Sequence, residues 1–165
     1  MMPTNQISIE RWSVVSRKPF ADVIAAIDAV TGHPDMREFA KNVGAATNWQ
    51  ELEAVIHPFL GPSGFMEFTR FNLGQIISKA QGPTAPKINR IVIGNPLVMK
   101  QMAEHVHDAA SYAPVTILID ERPDGVHLSY DRMASYLASY GNLAALEVAR
   151  TLDARIEALL TAAAN

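Results

Sequence analysis

The chain has 165 residues, enough for one well-buried core and too few for two ordinary domains. A hydrophobic fraction of 48% beside 19% charged residues is globular, not disordered, and the net charge of −3 lacks the basic surplus of a nucleic-acid binder. With no cysteine, disulfides, thiolate metal sites and a cysteine nucleophile are all excluded.

Met1–Gln6 lacks the basic and apolar regions of a signal peptide, and no apolar run approaches the ~20 residues that cross a bilayer. The expected location is the cytoplasm, with no membrane partner. Ile7–Ser16 reads as a first strand from the imperfect alternation of Ile7, Ile9, Trp12, Val14 and Val15. Pro19 then opens a helix whose apolar face is Phe20, Val23, Ile24, Ile27 and Val30, ended by Gly32. Two short helices follow, about Pro34–Val43 and Trp49–His57. Gly44 closes the first, and Asn48 with Glu51 makes a capping box for the second.

After the turn-rich Phe59–Gly64, a strand is expected over Phe65–Phe71 and a two-turn helix over Leu73–Lys79. Strict alternation puts Met66 and Phe68 on the face of Arg70. Past the loop Gln81–Lys87, the strand Ile91-Val92-Ile93 runs through Gly94 into Asn95 and Pro96, an N-cap and a first helical residue. A helix is expected from Pro96 to His107, its N-terminus held at the end of a buried strand, where an anion or carbonyl group is well received. Val115–Asp120 and Val126–Tyr130 form a hairpin around Pro123-Asp124-Gly125. The first of these strands is apolar on both faces and belongs inside the sheet. The last helix, Asn142–Ala163, carries a wide stripe from Ala145 through Leu152 and Ile156 to Ala163. Strands and helices mix without a repeat, which is α+β.

The ordered set Ile93-Gly94-Asn95-Pro96, Ala113-Pro114, Asp124-Gly125 and Ser129-Tyr130-Asp131 resembles the domain-of-unknown-function family numbered 302, as does the closing run from Leu152-Asp153 to Leu160. The resemblance implies a curved, mainly antiparallel sheet with helices packed on one side, similar to the TATA-binding-protein-like fold. It implies no agreed activity. A single domain spans 1–165, with a helical insertion at 33–60 and the C-terminal helix at 142–163. Many members of the family carry an acidic residue and a histidine after the second strand; here Asn72-Leu73 stand there, which weakens an acid–base role at that position.

The chain holds no nucleophile elbow, no Walker loop and no Gly-x-Gly-x-x-Gly, so hydrolase, kinase and dehydrogenase chemistry lack support. His105 and His107, two residues apart, point to different faces of a helix and share no ion unless the helix has ended; with no third ligand in view no metal is expected, and no cofactor either. Three readings stay open. The first is a ligand-binding or regulatory module with a partly apolar pocket between sheet and helices, anchored by Arg70, Asn72, Asn95 and Tyr130. Its ligand would be a small organic acid or carbonyl compound. The second is an enzyme using general acid–base chemistry, with Tyr130, Asp131 and His105 as candidates. The third is a structural dimer module. A homodimer is expected because the wide stripe of the last helix, with Met99, Met102, Val106 and the first helix as further apolar faces, is more than one side of a single sheet obviously covers.

Overall fold

A computed structural model describes Thr4 and residues 6–165; Met1, Met2, Pro3 and Asn5, part of the segment read for a leader, lie outside the described residues. Five strands form one sheet: β1 (Arg11–Ser16), β2 (Met66–Asn72), β3 (Ile88–Gly94), β4 (Val115–Arg122) and β5 (Gly125–Asp131). They lie in the order β1-β5-β4-β3-β2, and every neighbouring pair is antiparallel. The helices are α1 (Phe20–Val30), α2 (Met36–Ala45), α3 (Trp49–Ile56), α4 (Leu73–Gln81), α5 (Pro96–Ala103), α6 (Ala109–Tyr112), α7 (Met133–Leu137) and α8 (Leu143–Ala164). The fold is α+β with the helices on one side of an open sheet, as the sequence implied. Among the described residues, no helix is long and apolar enough to cross a membrane.

The strand apolar on both faces, β4, takes the central place. Its inward residues Ile117 and Ile119 meet Ile91 and Ile93 of β3 and Leu128 of β5 in a layer with no solvent exposure. Onto this layer pack Val23 and Ile27 of α1 and the α8 stripe, in which Ala145, Ala149, Leu152 and Ile156 are all buried. The stripe from which a homodimer was expected is therefore covered within the chain.

A second, smaller core lies under α2 and α3. Phe39 meets Phe59 and Phe68 edge-on, at centroid distances of 5.5 and 6.3 Å, the geometry favoured by the ring quadrupoles. Behind it, Gly32 forms an isolated parallel bridge with Met66, which ties the end of α1 to the start of β2. A Cβ at Gly32 would sit 1.9 Å from the Phe59 carbonyl oxygen, so only glycine permits this approach.

Several boundaries differ from the expected ones. The first strand starts at Arg11, because its partner β5 ends at Asp131 and residues before Arg11 have no strand to pair with. Gly44 lies inside α2 rather than closing it. In the capping box, Asn48 accepts from the Glu51 N–H at 3.0 Å, but the Glu51 carboxylate returns to the N–H and hydroxyl of Thr47, both at 2.8 Å, and not to Asn48. The helix opened by Pro96 stops at Ala103, so His105 and His107 stand on the connection to α6.

Candidate functional site

Arg70 sits on the edge strand β2, and the register there is irregular. A shift between Glu67 and Thr69 inserts an extra residue, so Glu67 opposes Ile93 and Arg70 opposes Ile91. Both partners face the core. Glu67, three residues away, thus shares Arg70's side, and the expected grouping of Arg70 with Met66 and Phe68 is corrected by this bulge. The Arg70 guanidinium donates to Glu67 Oε2 and to Asp28 Oδ1, each at 2.5 Å. Burial opposes its charge, but the two carboxylates hold the guanidinium pKa above its ordinary value. His33 stands beside them, 3.9 Å from Asp28 and 3.8 Å from Glu67. Asp28, His33 and Glu67 bring their donor atoms within 4.8 Å of one another, a spacing open to a metal ion, yet Arg70 already bonds both carboxylates.

Asn72 and Asn95 both cap helices. Asn72 accepts from the Gln75 N–H at 3.1 Å and starts α4 on the surface. Asn95 accepts from the Leu97 N–H at 2.9 Å, and its amide donates to the Gly64 carbonyl at 3.1 Å. Val98 and Met99 donate back to the Asn95 carbonyl, both at 3.1 Å. With Pro96 bringing no N–H, the first turn of α5 is satisfied from within.

Tyr130 is 1% exposed. Its hydroxyl donates to Asp153 Oδ1 at 2.7 Å, and burial, followed by the charge of Asp153, pushes its pKa far above the usual phenol range. Asp131 does not cap the turn after β5; it holds Arg11 in a bidentate pair at 2.6 and 2.9 Å on the uncovered face. The capping role belongs to Asp153 of α8, which accepts from the Met133 and Ala134 N–H groups of α7. His105 is exposed next to Glu104. The four proposed anchors do not converge, and neither do Tyr130, Asp131 and His105.

What does converge is apolar. Between α2, α3, α5 and the segment Ala113-Pro114 lies a cavity of about 370 Å³, within the ordinary ligand-pocket range of about 300–1,000 Å³. Phe39, Trp49, Leu52, Phe68, Val98 and Met102 line it, and Asn95 is the one proposed anchor on its wall. Lys100, on the same wall, lies 4.9 Å from the Trp49 ring centre and pairs with Glu104. Sequence reasoning missed Trp49 and Lys100 because they come from different helices joined only by packing. Asp153 carried a readable signal: an acid four residues after Ala149 and three before Ile156 falls within a buried stripe.

Residues 39–163 match the family model described as Domain of unknown function DUF302. Among curated proteins, none matches the sequence. The fold is similar to the crystal structure of an uncharacterized conserved protein DUF302 from Bacillus stearothermophilus, with a TM-score of 0.64 at 10% identity, over 93% of this chain and 97% of that one. At that identity the likeness concerns the fold alone.

Proposed function

The chain belongs to the DUF302 family, a domain of unknown function, and on that premise we propose that it is a binding module for a small, mainly apolar molecule bearing one acidic or carbonyl group. One observation carries this reading: the cavity under α2 and α3 is walled by aromatic, leucine and methionine side chains and has few polar groups. Such a surface gains from taking apolar area out of water, and methionine adapts to irregular shapes. The Lys100 ammonium on the wall is the natural partner of an acid or carbonyl head, in exchange for Glu104.

Arg70, Asn72 and Tyr130 act in this reading as supports. Arg70 fixes α1 to β2, Asn72 starts α4, and Tyr130 holds α7. Asn95 shapes the wall as a cap, with its amide already bonded.

The test uses an environment-sensitive naphthalene sulfonate dye and decanoate as its competitor. Wild-type protein is expected to bind the dye and release it to decanoate, and Leu52→Trp, which fills the cavity, to lose both at an unchanged melting temperature. Equal dye and decanoate binding in Leu52→Trp would remove the cavity from the function.

A further inference from the structure

The helices leave one face of the sheet bare, and that face is not uniform. Alternation places Arg90 and Val92 of β3, Thr116 and Leu118 of β4, Ser129 and Asp131 of β5 and Arg11 of β1 on it, since each alternates with a core-facing neighbour. These residues line a groove of about 630 Å³. Val92 and Leu118 give it a flat apolar floor. Tyr112 and Tyr136 wall one end, stacked at 4.6 Å with 22° between their planes.

The charges of the groove can be counted. Arg11 and Asp131 neutralise each other through their bidentate pair. Arg90 has no carboxylate partner among the described residues and rests over the Phe71 ring at 5.6 Å. The groove therefore carries one uncompensated positive charge. Across Leu118 from Arg90, in the same row of the sheet, stands Ser129. Ser129 is 7% exposed, lines the groove, and its hydroxyl forms no hydrogen bond among the described residues. No buried side-chain polar atom among the described residues lacks a partner, so this unbonded hydroxyl meets solvent through the groove and is open to an acceptor or donor brought by a ligand. Arg90 and Ser129 belong to strands two places apart, about 9–10 Å between backbones.

We propose that this groove is a second ligand site, separate from the cavity under α2 and α3, for a small flat monoanion that places its carboxylate on Arg90 and a polar group at its far end on Ser129. A hydroxylated aromatic carboxylate has this form. Its ring lies on Val92 and Leu118 and is flanked by Tyr136. The single net charge of the groove selects one carboxylate over a dianion, and the guanidinium receives it with charge-assisted hydrogen bonds.

Titration followed by the amide resonances of Thr116, Leu118 and Ser129 tests this, with 4-hydroxybenzoate as the probe. Saturable shifts at these residues are expected, with 4-hydroxybenzamide at least tenfold weaker. Arg90→Gln, at an exposed position, is expected to weaken 4-hydroxybenzoate at least tenfold. Ser129→Ala is expected to weaken 4-hydroxybenzoate and leave benzoate as it was, while Leu52→Trp changes neither and so separates this site from the cavity. No saturable shift, equal affinity for the amide, or indifference to Arg90→Gln would overturn the proposal. So would sedimentation of the wild type as a dimer that Arg90→Glu dissociates, because a second copy would then cover the face.

Discussion

The Tyr130 hydroxyl of β5 donates to Asp153 Oδ1 of α8 at 2.7 Å, and that same carboxylate starts α7. Arg132, the residue before α7, offers no side-chain cap, so the Met133 and Ala134 N–H groups turn to Asp153 at 2.7 and 3.0 Å. A side chain 20 residues along the chain from Met133 thus supplies what local sequence usually supplies at a helix start. Burial keeps the tyrosine protonated, which makes it a donor to Asp153 and not an acid ready to release its proton.

Breaking this junction should be costly because it leaves buried donors unmet. Asp153→Ala is expected to lose about 2–4 kcal/mol in urea unfolding, and Tyr130→Phe about 1–2, since the phenylalanine leaves only part of the carboxylate unsatisfied. A loss below about half a kcal/mol in Asp153→Ala would mean that water replaces the carboxylate without penalty.

Much of the sheet was legible because its evidence is local. A strand apolar on both faces has to be central, and β4 is. The two-residue turn Pro123-Asp124 followed by glycine marked the hairpin, and Gly125 takes a φ of 144° there. The bulge at Glu67–Thr69 was not legible, since alternation is the only strand signal and a bulge breaks it without leaving a glycine or proline. The candidate anchors failed to converge for a related reason. Asparagine before a helix reads alike whether its amide points to a ligand or, as at Asn95, to the carbonyl of Gly64.

The central layer sets the scale for the rest. Ile117 has no exposure and lies between Ile91 and Tyr130 in the register. Ile117→Ala is expected to cost about 2–5 kcal/mol, the lost transfer energy plus that of the cavity left behind. Denaturant unfolding checks it, and a change under about half a kcal/mol would contradict this packing.

Glu51 gives a pH dependence with a defined sign. The Thr47 N–H, then the Thr47 hydroxyl, hold its carboxyl below the usual value of 4.5. Its ionised form therefore adds stability to the start of α3 above 4.5, and that contribution is lost as pH falls through the lower, folded value. The side-chain carbon of Glu51 is expected to titrate below 4.5, with the Thr47 amide following at the same midpoint. In Glu51→Gln the Thr47 response should vanish. A midpoint at or above 4.5 in the wild type would show that the return bond to Thr47 does not persist in solution.

Asn95 separates the cap from the tether. Glycine is nearly as good as asparagine at a helix start, so on capping alone Asn95→Gly would cost only a few tenths of a kcal/mol. The structure adds a bond from its amide to the Gly64 carbonyl, across 31 residues, which ties the start of α5 to the loop before β2. Asn95→Gly loses that bond as well and is expected to cost about 1–2 kcal/mol. Asn95→Asp is the sharper variant. It keeps the acceptor for the Leu97 N–H and adds a charge favourable to the helix dipole, yet it sets a carboxylate oxygen against the Gly64 carbonyl. If the tether matters, aspartate should destabilise at least as much as glycine although it is among the best caps. If thermal unfolding instead finds Asn95→Asp as stable as the wild type, capping is the whole of what Asn95 contributes, and the bond to Gly64 adds nothing to the wall of the cavity.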